Sequence, residues 1–216
     1  MRNIPVYYDM LWHENFPLEC ESLSEACMRL ASSDLTGGVR VSNAGGYQSY
    51  HGIHTMQEFG QLSKIIKIQF KQLHEEFELV DQVEPTILDM WFNINPPGSH
   101  NRLHRHVNPP SLDRIASASI WSGTFYVTVP ENSGDLVFHN GREDYTFMTH
   151  EPSIVRIPEI FMKNPSNKHI RPLYRVKPQN GDMFFWMSDM IHGVEVNRSE
   201  EVRISISFNL GLKFKD

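Results

Sequence analysis

The sequence predicts a mainly β fold, a jelly roll or cupin-like sandwich, with two N-terminal helices packed on one face. Three observations carry this. Apolar residues recur at helical spacing up to Phe77 and at a spacing of two after Pro85. Short strand-like runs then follow at close intervals. Turn residues separate them, and no linker, repeat or low-complexity stretch divides the chain. At 216 residues the chain can bury a core without staples. It reads as one domain over 1–216, helical over about 1–84 and β over about 85–212.

Leu23, Cys27, Leu30 and Ala31 lie at helical spacing and predict a short amphipathic helix over 18–31. A polar, Gly-rich stretch runs from Thr36 to Gly46. Thr55 and Glu58 have the spacing of a capping box. Phe59, Leu62, Ile66, Phe70, Leu73 and Phe77 continue from it as one apolar stripe, a helix of about 22 residues that needs a sheet to pack against. In the run 87–95, Leu88, Met90, Phe92 and Ile94 face one way, and Asp89, Trp91, Asn93 and Asn95 the other. A Pro-, His- and Asn-rich loop fills 96–117. Further strands are predicted at 118–129, 135–139, 144–148, 153–157, 172–177, 182–187 and 202–210. With two helices ahead of the strands, the order favours helices on one outer face of a sandwich.

Composition narrows the function. The net charge of −6 and the scattered basic residues do not attract nucleic acid or anionic lipid by bulk electrostatics. No apolar run is long enough to span a bilayer, and the N-terminus lacks the apolar core of a signal peptide. Cys20 and Cys27, seven apart on a helix, are about 10 Å from each other, too far for a disulfide. A reduced, cytoplasmic protein is expected. Histidine stands out: three of the 11 fall within 100–106.

Two regions carry chemistry. His104 and His106, at i and i+2 on an extended segment, present both imidazoles to one side and can chelate one metal. A hydrophobic strand over 182–187 leads into a turn that presents His192. Three imidazoles suit Fe, Zn, Cu and Ni alike and do not choose among them. Eleven positions beyond His192, Arg203 shares a strand face with Ser205, Ser207 and Asn209. A guanidinium with a hydroxyl two residues on is a carboxylate clamp. The combination fits a cosubstrate that binds metal at one end and offers a free carboxylate at the other, as 2-oxoglutarate does. Bland readings stand beside these: a solvated His pair, a strand-face salt bridge at Arg203, a core strand at 184–186, and surface or capping roles for His51 and His54. His100 is expected to be a loop residue rather than a ligand.

The motifs SNAGGYQS (42–49), WFNIN (91–95), His104-x-His106, SGTFYV (122–127), Gly181–Val194 and RISISFN (203–209) together resemble a family of 2-oxoglutarate–Fe(II) oxygenases of bacteria and phages. That family lies within the Fe(II)/2-oxoglutarate-dependent dioxygenase superfamily, and the resemblance covers about 42–210. It implies a double-stranded β-helix. It also implies Fe(II) on His104, His106 and His192, with O2 and 2-oxoglutarate as cosubstrates. Arg203 and Ser205 would hold the far carboxylate of 2-oxoglutarate. Tyr126 and Asn93 are either cosubstrate contacts or packed polar core residues. The implied reaction hydroxylates a small molecule or a protein side chain and releases succinate and CO2. Nucleic acid is disfavoured as substrate, and a homodimer is left open. Two departures matter. His106 stands where the superfamily has a carboxylate, so the metal face is three neutral imidazoles or takes a carboxylate from elsewhere. Residues 107–121 are longer than the family's segment there and are expected to form a substrate lid. Rival readings are a cupin-type metalloenzyme that does not use 2-oxoglutarate and a binding module whose site has decayed.

Overall fold

The computed structural model describes residues 9–16, 18, 20–106, 118–139 and 173–215. In chain order its elements are β1 (Leu11–Asn15), α1 (Cys20–Ser33), β2 (Asn43–Ala44), β3 (Tyr47–Gln48), α2 (Gly60–Glu76), β4 (Val83–Asn95), β5 (His100–His104), β6 (Trp121–Thr128), β7 (Leu136–His139), β8 (Leu173–Val176), β9 (Asp182–Met187), β10 (Ile191–Val194) and β11 (Arg203–Phe214). The strands form two sheets. One has the order β1-β9-β6-β11-β4-β3, the other β2-β5-β10-β7-β8. Every pairing among the described residues is antiparallel.

The period of two divides the six-stranded sheet into unlike faces. Met90, Phe92, Phe125, Met183, Phe185, Ile204, Ile206 and Phe208 point outward into one apolar cluster. Leu23, Ala26 and Cys27 of α1 enter the same cluster, as do Leu62, Ile66, Phe70 and Leu73 of α2. The helices therefore bury the stripes that sequence spacing assigned to them. The opposite face, towards the second sheet, carries Asn93, Tyr126, Ser205 and Ser207. A smaller apolar cluster of Tyr126, Leu136, Phe138, Phe184 and Trp186 lies on this inner side. Cys20 and Cys27 are free thiols, and burial pushes the Cys27 thiol up to about 12. No helix among the described residues is long and apolar enough to cross a membrane.

Several boundaries differ from expectation. The helices are not first: β1 precedes α1 and pairs with β9 as an edge strand, where a short mixed sequence suffices. Thr55 does not cap α2. Its hydroxyl donates to the Gly52 carbonyl and closes a 3₁₀ turn, Ile53–Thr55; a second turn, Gln57–Phe59, precedes the 17-residue helix. The alternation in β4 slips where β11 has Asn209 opposite Asp89 and Leu210 opposite Ile87. This bulge at Leu88 places Ile87, not Leu88, in the core. Residues 100–104 form a strand rather than part of a loop, and His192 lies inside β10 rather than in a turn. The expected strands 144–148 and 153–157 fall outside the described residues, as does 107–117 of the lid expected over 107–121; the end of that segment leads into β6, with Trp121 buried in the core.

The Gly-rich stretch joins the sheets. Asn43–Ala44 pairs with β5 of one sheet and Tyr47–Gln48 with β4 of the other. Gly45 turns the chain at φ 81, and a Cβ on Gly46 would collide with the Ile94 carbonyl and the Asn43 side chain. Asn43 fastens the turn by accepting from the Gly46 N–H at 3.0 Å and donating to the Tyr47 carbonyl at 3.2 Å.

Candidate metal centre

The pairing of β10 with β5 sets His192 opposite His104. Gly193 permits the approach, since a Cβ there would lie 2.8 Å from the Asn101 carbonyl oxygen. Just beyond β5, the His106 N–H donates to the Ser188 carbonyl at 2.9 Å and turns the ring inward. Ring centroids lie 4.8 Å apart for His104–His106, 4.4 Å for His104–His192 and 4.9 Å for His106–His192. One ligand atom from each falls within 4.8 Å of the others. Among the described residues this cluster contains no carboxylate.

The hydrogen bonds orient the three rings. Nδ1 of His104 donates to the Arg102 carbonyl at 2.7 Å, and Nδ1 of His192 to the Met190 carbonyl at 2.9 Å. Nδ1 of His106 meets the Asn209 Oδ1 at 2.6 Å and the Ser122 hydroxyl at 3.0 Å. Since a carbonyl oxygen only accepts, each Nδ1 carries the proton, and Nε2 is the nitrogen left with a lone pair. Burial lowers all three pKa values below the ordinary histidine range, that of His106 to about 4. The rings are neutral at pH 7, the form that ligates a metal.

The cleft between the sheets runs from these histidines past Trp91, Asn93, Thr124, Tyr126, Trp186 and Ser205. Arg203 lies beyond its lining, two residues from Ser205 and 1 % exposed. Nη1 donates to the Ser133 carbonyl, while Nε and Nη2 have no partner. These two N–H groups form the edge of a guanidinium that receives a carboxylate bidentately. The Tyr126 hydroxyl, equally buried and unpartnered, comes from the residue opposite Ser205. None of the described carboxylates pairs with Arg203, and leaving such a cation unmatched is costly. A buried dianionic ligand satisfies this donor set, and three imidazoles at the other end of the cleft fit a divalent metal. Asn93 lies in the cleft lining, where its Oδ1 accepts from Asn43 at 3.2 Å and Asn101 at 3.4 Å and its Nδ2 donates to Ser207 at 3.4 Å, as a packed polar residue does. Most of its amide is spent holding strands together.

Other residues at the site carried weaker sequence signals. Trp186, read as core, also stands over His192 with ring centroids 4.7 Å apart, and its buried indole N–H lacks a partner. Asn209 lies on the polar face that the alternation of 203–210 predicts, and the sequence alone gives it no role there. His51 stacks on Trp91 at 4.9 Å and bonds Asp89, and Trp91 lies 5.5 Å from His106. His51 is itself exposed, as a surface role implies, and reaches the centre only through Trp91. His100 stands outside the histidine cluster.

Residues 89–209 match the family described as "Putative 2OG-Fe(II) oxygenase". No curated protein matches the sequence. Among solved structures, a prolyl-4-hydroxylase of Pseudomonas putida superposes with a TM-score of 0.62 at 13% identity, over 93% of this chain and 91% of that one. A viral collagen prolyl hydroxylase from Paramecium Bursaria Chlorella virus-1, solved as its 2-oxoglutarate complex, gives 0.57 at 14% identity, over 93% and 94%. HygX from Streptomyces hygroscopicus, with nickel and 2-oxoglutarate bound, gives 0.57 at 13% identity, over 93% and 82%. At such identities the structures speak to fold alone, which is the double-stranded β-helix.

Proposed function

Because this chain belongs to the 2OG-Fe(II) oxygenase family, we propose that His104, His106 and His192 hold its Fe(II) and that Arg203, Ser205 and Tyr126 hold the far carboxylate of 2-oxoglutarate. When bound, Fe(II) supplies the redox chemistry that couples consumption of O2 and 2-oxoglutarate to hydroxylation of a substrate, with release of succinate and CO2. The protein's part is orientation and exclusion of water. Arg203 and Tyr126 supply a ready-made donor set inside the cleft, so the cosubstrate carboxylate exchanges water for fixed dipoles. Trp91 and Trp186 wall the space beside His106 and His192. Asn93 contributes its remaining N–H to the cleft, and the two helices support the six-stranded sheet from behind.

The observation that carries this reading is the pairing of a neutral three-imidazole cluster with an unmatched buried guanidinium along one cleft. On the same reading the chain is a single oxygenase domain over 1–216, acting in the cytoplasm on a small molecule or a protein side chain. The net charge of −6 weighs against nucleic acid. Anaerobic titration with Fe(II) tests the ligand set. A single equivalent should bind tightly, each of His104→Ala, His106→Ala and His192→Ala should bind far more weakly, and 2-oxoglutarate should add a visible metal-to-ligand band. Admitting O2 should then release succinate. Unchanged iron affinity in His104→Ala, or no visible band in wild type, would overturn the assignment.

A further inference from the structure

The three rings are not held in the same way. His104 and His192 each give Nδ1–H to the backbone carbonyl two residues earlier, which no substitution of a side chain removes. Among the described residues His106 has only side chains for this purpose. Asn209 Oδ1 receives its Nδ1–H at 2.6 Å, shorter than an ordinary N–H···O bond. Ser122 stands 3.0 Å from the same nitrogen and 3.1 Å from Asn209 Oδ1. Ser122 in turn meets Ser188 at 2.8 Å, and Ser188 meets Ser119 at 2.7 Å, so a chain of hydroxyls backs the contact. The carboxylate of Asp89 lies opposite Asn209 across the β4–β11 pair, yet its oxygens are engaged by His51 and by the Met90 N–H. His106 is therefore hydrogen-bonded by a neutral amide, and the Asp89 charge acts on it only through space.

We propose that Asn209, backed by Ser122, is the positioning residue that aims His106 Nε2 at the metal through a neutral amide rather than a bonded carboxylate. The inference rests on the ligand set proposed above. Its chemistry is general. A metal-bound imidazole usually passes its second N–H to an outer acceptor, and a carboxylate in that place makes the ring more electron-donating. An amide supplies direction without that charge. His104, His106 and His192 would then hold a divalent metal with more net positive charge towards a dianionic cosubstrate than a carboxylate-backed histidine would leave it.

The test uses the full chain with Asn209→Ala, Asn209→Asp and Ser122→Ala, loaded with Co(II) or, anaerobically, with Fe(II). In the Co(II) protein each ligating ring should give one shifted, exchangeable N–H proton signal. Asn209→Ala should bind metal about 10–100-fold more weakly, the usual effect of removing such a partner, and should speed water exchange of one N–H signal while sparing the other two. Asn209→Asp should restore metal affinity and move the Fe(II)–2-oxoglutarate band to lower energy, because a more electron-rich metal gives up its electron more readily. A merely structural role would not move that band. Should Asn209→Ala fail to fold, Ser122→Ala and the isosteric Asn209→Asp still decide. The inference is overturned by wild-type affinity and N–H exchange in Asn209→Ala or Ser122→Ala, or by an unshifted band in Asn209→Asp. If His104→Ala leaves metal binding intact in the wild-type background, the ligand set itself falls and takes this inference with it.

Discussion

Arg203 stands in an environment that penalises its charge and offers it only backbone carbonyls on one arm. Burial lowers its pKa, and the nearby Tyr126 acts the other way. A guanidinium remains charged under such a shift, so the free Nε–Nη2 edge requires an anion. Arg203→Ala should raise the dissociation constant for 2-oxoglutarate by at least tens-fold, since removing one partner of a buried charged pair costs about 2–5 kcal/mol. Fe(II) binding should stay nearly unchanged. Arg203→Lys should fall close to Ala, because an ammonium lacks the planar fork. Titration of the anaerobic Fe(II) protein with 2-oxoglutarate measures both; equal affinities in wild type and Arg203→Ala would exclude the clamp. Tyr126→Phe removes one hydroxyl worth about 0.5–1.5 kcal/mol and should weaken the cosubstrate only several-fold in the same titration.

Strands β5 and β10 bring the histidines together, and their closeness depends on Gly193. A methyl group there would press on the Asn101 carbonyl at 2.8 Å and on the Arg102 carbonyl at 3.2 Å, atoms of backbone that cannot rotate away. Gly193→Ala should therefore part His104 from His192, lose about 1–3 kcal/mol of stability and weaken metal binding. Chemical denaturation with and without metal checks this: a protein stabilised by metal as strongly as wild type would show that the strands need not be so close. On the other face, Phe70 of α2 is fully buried and packs edge-on against Trp121 at 5.0 Å. Phe70→Ala should cost about 3–5 kcal/mol in the same denaturation experiment, with metal stoichiometry preserved in the folded fraction.

Acid stability is a property of the whole molecule to which the centre contributes with a definite sign. Burial pushes the His106 imidazole down to about 4 from the ordinary 6.5 that unfolding restores. His104 and His192 are shifted in the same direction. Between pH 6.5 and about 4 the unfolded chain binds more protons than the folded one, so the metal-free protein should lose stability as pH falls through that window. His106→Gln should flatten part of this dependence. Urea unfolding of the metal-free protein from pH 7 to pH 4.5 measures it, and parallel slopes in wild type and His106→Gln would show that His106 is no more buried than an ordinary histidine.

The alternation in 203–210 was legible from the sequence because β11 has a core on one side and a polar cleft on the other, so Arg203, Ser205, Ser207 and Asn209 had to separate from Ile204, Ile206, Phe208 and Leu210. The same physics made the stripes of α1 and α2 readable, and histidine spacing with a following arginine indicated the candidate site. Only tertiary structure decided the rest. His100–His104 is too polar to declare itself a strand and becomes one by pairing with β10 and β2. Thr55 looks like a cap until its hydroxyl is seen to bond Gly52, and Leu88 shifts phase because β11 skips it. The hydrogen bond of Asn209 joins it to a partner 103 residues away, His106. Local periodicity records which face of an element is apolar. Which polar groups meet across sheets depends on register, bulges and close approach, and those are set by contacts between segments remote in the chain.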